Sequence, residues 1–304
     1  MIKRAISNIQ NVIRIHQAKT SRLSVSDIVF APFFIVSSGR SGTTLLRRML
    51  TAHHQLHIPP ESDDLIPRGA QFFAAHSKKE WKWLVLQVCS IFETAPCFAF
   101  WKTDLSQIKE PLINLPPEAR SYAAIVNAIY KHHAFLQGKS SDTWGDKTPY
   151  LVHCLDWLRL IFPNARYIFV VRDGRAVVHS MIKKQGYTLR QAAVRWRDSV
   201  LLFNAHTKKI EPDHQICIHY EDLVGNTQQV LKNICDFLKV PFLQELSSSI
   251  PENMGDTVLS HHENTSKPVS KDHLTIWKQE LEDKQIQYLN TMLRKELLYF
   301  RYVE

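Results

Sequence analysis

The sequence predicts an α/β fold of three layers: a mostly parallel central sheet with a P-loop-like turn at its rim and helices on both faces. Three observations carry this expectation. Apolar runs at 33–37, 166–171 and 215–219 have the length and the β-branched and aromatic make-up of strands buried on both faces. Helix-periodic stretches at 43–54, 80–92, 122–137, 149–161, 175–184, 188–208, 227–238 and around 278–297 surround them in sequence. The first apolar run also enters a glycine-bounded turn that opens directly into a helix. In that arrangement the first free N–H groups of a helix point at whatever the turn holds.

That turn is the most informative stretch. It reads Ser37-Ser38-Gly39-Arg40-Ser41-Gly42-Thr43-Thr44-Leu45. Only nine of the 304 residues are glycine, so two of them three apart stand out from the composition. Gly39 permits the sharp turn, and Gly42 lets the backbone close on a ligand with no Cβ in the way. Ser41, Thr43 and Thr44 add hydroxyl donors, while Arg40 adds a planar cationic fork suited to phosphate or sulfate. The loop is expected to bind an anion, the 5′ end of a nucleotide. It is not the nucleoside-triphosphatase version, because two residues rather than four separate the glycines and no lysine follows.

The second strand, 166–171, ends in Arg172-Asp173-Gly174-Arg175, and Ser180 follows two turns into the next helix. Arg172 therefore stands at a strand's carboxyl end, where open α/β sheets bind ligands. Asp173 is placed to cap the helix and Arg175 to lie on a solvated face. In Trp144-Gly145-Asp146-Lys147-Thr148-Pro149, Thr148 and Pro149 suit a helix start, and Lys147 is held just before it. Glu61 sits in the acidic stretch Pro60-Glu61-Ser62-Asp63-Asp64 beyond the first helix, which His53 and His54 close in the way a helix dipole favours. The run 215–219 reads as another buried strand, leading into Tyr220-Glu221-Asp222, with Tyr220 able simply to anchor the strand end.

Gly-Arg-Ser-Gly-Thr-Thr-Leu at 39–45 resembles the 5′-phosphosulfate loop of sulfotransferases that use 3′-phosphoadenosine 5′-phosphosulfate (PAPS). In that family an arginine and a serine eight positions apart hold the 3′-phosphate, which implies this role for Arg172 and Ser180. Lys184, one turn on, falls where some members carry another basic contact. Asp146-Lys147-Thr148-Pro149 resembles the segment that supplies a catalytic lysine in bacterial and tyrosylprotein sulfotransferases. The implied role of Lys147 is to stabilise charge on the bridging oxygen as the sulfuryl group leaves. Counting from Arg40 without a gap brings the catalytic glutamate of the tyrosylprotein branch onto Glu61. Asp63 and Asp64 depart from that branch, which carries arginine nearby. Tyr220 would lie near the nucleotide. The stretch His261 to Val269 resembles the one that closes over the cofactor, and its Lys267-Pro268-Val269 matches well. The branch's auxiliary catalytic serine aligns at His261, with Ser260 beside it, so that role is left open. A further cofactor lysine is here Ile276, and Lys267 or Lys271 stands in for it.

The resemblance runs from 33 to 277 and is nearest to tyrosylprotein sulfotransferase-like and bacterial enzymes. It implies transfer of a sulfuryl group from PAPS to a hydroxyl acceptor, first a peptide tyrosine and next a carbohydrate or lipid hydroxyl. Retained Glu61 and Lys147 argue against a nucleotide-binding module without catalysis, and the missing lysine and Mg²⁺ pattern argue against a kinase-like phosphoryl transferase. No metal is needed and no ligand cluster for one is spaced in the sequence.

Bulk properties agree. Residues 27–304 are expected to form a single domain, since no linker, repeat or low-complexity tract interrupts them. Residues 1–26 hold five basic residues and no acid before Ser26, with Ile2, Ile6, Ile9 and Ile13 at helical spacing. This basic amphipathic helix or arm either packs on the domain or makes a peripheral membrane contact. A net charge of +9 without aromatic–basic interleaving suits a polyanionic cofactor and argues against nucleic acid as a partner. The five cysteines lack zinc or redox spacing and read as reduced thiols, and no apolar run approaches bilayer length, so a cytoplasmic, bacterial enzyme is expected. The segment 81–120, rich in Trp and Pro, is expected to form part of the acceptor pocket or a lid.

Overall fold

A computed structural model describes residues 15, 18, 21–25, 27–139, 143–247 and 272–303. Five strands, β1 (Phe33–Val36), β2 (Leu56–His57), β3 (Thr143–Asp146), β4 (Arg166–Val171) and β5 (Gln215–His219), form one sheet in the order β2-β3-β1-β4-β5. The pairs β2·β3 and β4·β5 are parallel, with Leu56 opposite Thr143 and Tyr167 opposite Gln215. The mostly parallel α/β sheet is thus as expected. Among the described residues no helix is long and apolar enough to cross a membrane. The proposed membrane-contacting helix lies largely outside the described residues.

By packing, the chain divides into two compact units that interleave in sequence. The first comprises 1–33, 54–146 and 154–165. It contains β2, β3 and the helices Leu65–Ala75, Trp81–Glu93, Ser106–Ile113, Tyr122–Leu136 and Leu155–Ile161. Its core is aromatic: Tyr130 stacks on Trp144 at 4.0 Å, Trp101 meets Tyr130 edge-on at 4.9 Å, and Phe162 closes on Trp144 at 5.4 Å. Such pairs stabilise by about 0.5–1.5 kcal/mol each beyond the area they bury. The tyrosine tips are satisfied inside, the Tyr130 hydroxyl on Asp146 and the Tyr122 hydroxyl donating to the Ile66 carbonyl at 2.7 Å, whereas Trp101 Nε1 is buried with no hydrogen-bond partner among the described residues. Burial pushes the thiols of Cys89 and Cys154 up to about 12, and all five cysteines are free.

The second unit comprises 34–53, 147–153 and 166–304. It is built on β1, β4 and β5 with the helices Thr43–Thr51, Gly174–Gln185, Leu189–Thr207, Tyr220–Gly225 and Thr227–Leu238. Tyr167 to Val171 are all buried, which is why this strand reads as an uninterrupted apolar run. Phe203 of the long helix stacks on Phe169 at 4.0 Å, and that helix starts with a full capping box between Thr188 and Gln191.

Four expectations are corrected. β5 is last in the strand order and only Ile218 of it is buried, so it is an edge strand and not a buried one. The predicted helix 149–161 begins as a 3₁₀ turn, Pro149–Cys154, and becomes α-helical only at Leu155. The expected helix at 278–297 is three short ones, Trp277–Glu280, Asp283–Met292 and Arg294–Tyr299. Leu281 and Glu282 turn extended between the first two, and Glu282 caps the second with Gln285. The first helix ends at Thr51, so His53 lies past it and bonds the Pro241 carbonyl through its ring at 2.9 Å.

Candidate active site

Among the described residues, the second unit holds the glycine loop and everything that the sequence placed around it except Glu61. Leaving β1, the Gly39 N–H donates to Ser37 Oγ at 3.0 Å, and the hydroxyls of Ser38 and Ser41 meet at 3.0 Å. Gly39, Arg40 and Gly42 take φ of 81°, 55° and 88°. For Arg40 this left-handed turn costs about 1–2 kcal/mol, a strain typical of ligand-binding loops. Gly42 is required twice over. Its φ disfavours any side chain, and an added Cβ would stand 2.2 Å from Tyr220 Cδ2. The helix Thr43–Thr51 starts at Gly42 with no side-chain cap and no acid in its first turn. Its opening N–H groups are therefore donors available to an anion.

The cationic side chains converge on this loop. Arg40 Nε donates to Ser180 Oγ at 3.2 Å, and Arg172 donates from one terminal nitrogen to the Arg40 carbonyl at 3.2 Å and from the other to the His273 carbonyl. The Arg172 guanidinium also lies over the Tyr220 ring, 4.5 Å from its centre, a cation–π contact. Its Nε is buried and has no hydrogen-bond partner among the described residues. Lys147, fully buried at the end of β3, donates from Nζ to Thr44 Oγ1 at 3.3 Å. Two guanidinium groups, an ammonium and a helix N-terminus gathered on one loop form an arrangement that favours a bound anion.

Residues 32–245 match the description Sulfotransferase family. The chain belongs to the sulfotransferase family. The protein-tyrosine sulfotransferase of Drosophila melanogaster is 28% identical over 242 residues, covering 77% of this chain and 41% of that one. Protein-tyrosine sulfotransferase A of Caenorhabditis elegans is 27% identical over 259 residues, covering 81% and 61%. The chain thus spans about half the length of these relatives. Among solved structures, the sulfotransferase domain of the Synechococcus PCC 7002 olefin synthase superposes with a TM-score of 0.58 at 25% identity, over 86% of this chain and 94% of that one. The sulfotransferase domain of the curacin biosynthetic pathway gives 0.58 at 23% identity, over 88% and 99%, and shares the fold.

Within this sulfotransferase-family site the sequence located Gly39, Arg40, Ser41, Gly42, Thr43, Thr44, Lys147, Arg172, Ser180 and Tyr220, and these lie on and around the loop. Lys184 is exposed on the last turn of the helix Gly174–Gln185. Ser260, His261, Lys267 and Lys271 lie outside the described residues. Glu61 belongs to the first unit, half-buried in the loop after β2. Two residues on, Asp63 takes a left-handed φ of 49°, and partial burial followed by the Glu61 charge pushes its carboxyl up.

Sequence reasoning misplaced Arg175 and missed its partners. Arg175 is buried, not solvated: it grips both oxygens of Asp173, at 3.0 and 2.7 Å, and stacks on Trp277 at 4.5 Å. Asp173 does cap the helix, accepting from the Arg175 N–H at 2.9 Å. Glu221 and Tyr302 complete this cluster. A strand-end Tyr-Glu pair hints at Glu221, but nothing in the sequence links Tyr302 to a turn 129 positions earlier.

Proposed function

We propose that this protein transfers a sulfuryl group from PAPS to a hydroxyl acceptor. The observation that carries the reading is the gathering of cations at one loop: Arg40 reaches Ser180, and Arg172, whose Nε has no hydrogen-bond partner among the described residues, reaches the Arg40 carbonyl beside an uncapped helix N-terminus. This donor set suits the two anionic ends of an adenosine bisphosphate. PAPS supplies the activated sulfuryl group and a phosphate leaving group. The loop N–H groups, the hydroxyls of Ser41, Thr43 and Thr44, and Arg40 would bind the 5′ end, and Arg172 and Ser180, assisted by Lys184, the 3′-phosphate. Tyr220 would flank the nucleotide, and Lys267 would help to enclose it. Lys147 would stabilise negative charge developing on the bridging oxygen, while Glu61 takes the acceptor's proton. The protein's part is positioning and charge neutralisation, as in phosphoryl transfer.

Peptide tyrosine is the acceptor that the relatives' names support best. A non-peptide hydroxyl is the second reading, favoured by the likeness to a domain of an olefin synthase. Thermal unfolding with adenosine 3′,5′-bisphosphate (PAP), ATP and GTP tests the donor site. PAP at about 100 times its Kd should raise Tm by roughly 5 °C or more. Equal stabilisation by ATP would remove the reading. Incubation with ³⁵S-labelled PAPS and host lysate then separates protein, glycan and lipid acceptors by where the label appears.

Gly42→Ala probes the loop itself. Its left-handed φ alone is worth about 1–2 kcal/mol against a side chain, and the Tyr220 ring must also shift. PAP affinity should fall by roughly 10-fold or more by calorimetry, and a Kd within twofold of wild type would place the nucleotide elsewhere.

A further inference from the structure

The turn that carries Arg172 is held from behind by residues far along the chain. The Asp173 N–H donates to Glu221 Oε1 at 3.1 Å, and the other oxygen of Glu221 accepts from the Tyr302 hydroxyl at 2.8 Å. His219 Nδ1 meets that same hydroxyl at 3.1 Å. The Asp173 carboxylate is gripped by Arg175, which also donates to the Tyr302 carbonyl at 3.0 Å and to Asn290 Oδ1 at 3.0 Å. Tyr302 thus reaches the turn by two routes, through its hydroxyl and Glu221 and through its carbonyl and Arg175. Burial, then the Glu221 charge, pushes the Tyr302 phenol up, so it stays a donor at any working pH. On the other side, Trp196 Nε1 donates to the Arg172 carbonyl at 3.1 Å and its ring packs where a Cβ on Gly174 would stand, 2.9 Å away. The backbone at 172–174 is therefore held from two sides, by Glu221 at the Asp173 N–H and by Trp196 at the Arg172 carbonyl, while the Arg172 guanidinium reaches out to the loop. A side chain on so fixed a base loses less freedom when it binds, and its geometry discriminates better.

We infer that Tyr302, acting through Glu221 and Arg175, is a positioning residue that sets the aim of Arg172 and with it the preference for a nucleotide bearing a 3′-phosphate. The inference rests on the assignment of Arg172 and Ser180 to the 3′-phosphate made above. Tyr302 touches neither nucleotide nor acceptor in this scheme; it acts only through the Asp173 turn.

The test compares PAP with adenosine 5′-monophosphate (AMP), which lacks only the 3′-phosphate, by calorimetry on wild type and Tyr302→Phe. Tyr302→Phe removes one hydroxyl and keeps the ring. The PAP-over-AMP preference should fall about 10-fold, the scale of one hydrogen bond to a charged group, with AMP affinity unchanged within twofold. Equal weakening of both nucleotides, or an undiminished preference in a folded variant, overturns the inference. A wild-type protein that does not prefer PAP instead removes the 3′-phosphate assignment beneath it. Hydrogen exchange on the wild type needs no variant to fold: PAP, more than AMP, should slow exchange in 296–303, and identical protection by the two nucleotides overturns the inference as well.

Discussion

Replacing Lys147 with Ala is expected to lower turnover by about 10²-fold or more while PAP still binds. The side chain emerges where β3 ends, is fully buried, and aims its ammonium at Thr44 in the first turn of the loop helix. A charge so placed is expected to matter most where negative charge builds up during reaction, and least to a ground-state nucleotide that the two arginines and the helix N-terminus would hold. Lys147→Met, which keeps the chain length and apolar stem but drops the charge, should match Lys147→Ala in rate. Single-turnover sulfuryl transfer and a calorimetric PAP Kd separate the roles. A Kd that rises 10²-fold with an unchanged single-turnover rate would make Lys147 a binding residue only.

The glycine loop and the residues gathered around it are legible because their signals are local. A glycine pair, a strand-end arginine and a serine eight positions on are each short patterns whose spacing maps directly onto a turn or a helix face. The strands β1 and β4 were equally plain, being buried and continuously apolar. β2 and β3 carry no such signal, because two and four residues, one of the latter a glycine, make no period. Gly145 is there for packing: a Cβ would meet the Phe33 ring at 2.4 Å. The broken helix after Trp277 shows the opposite limit. Its periodicity spans all three pieces, but Leu281 turns its backbone extended and Glu282 restarts the helix, a tertiary decision that periodicity does not record. The burial of Arg175 is hidden from the sequence for the same reason. A cation in the first turn of a helix looks solvated until the distant Asn290 and Tyr302 are seen to bury it.

Glu61→Gln is expected to cut the rate by about 10²-fold, with PAP affinity retained, because the amide keeps the shape and loses only the ability to take a proton. Single-turnover transfer measured beside a calorimetric PAP Kd gives a readout that separates a lost proton acceptor, which slows transfer alone, from a packing defect, which weakens binding as well. Asp63 is the natural control, a second carboxylate two residues away on a backbone that asparagine tolerates at φ 49°. Its carboxyl is pushed up on folding by partial burial and by the Glu61 charge, so it holds a proton more tightly folded than unfolded. Ionised Asp63 therefore opposes folding: its contribution is favourable below the ordinary aspartate range and is lost as pH rises through the raised folded value. Asp63→Asn should accordingly leave Tm at pH 7 equal to or above wild type, with a gain that shrinks on acidification, and turnover within a few-fold. A 10²-fold loss of rate in Asp63→Asn with near wild-type turnover in Glu61→Gln would transfer the base to Asp63. That outcome would also mean that ungapped counting from Arg40 misplaces the glutamate of the tyrosylprotein branch by two positions.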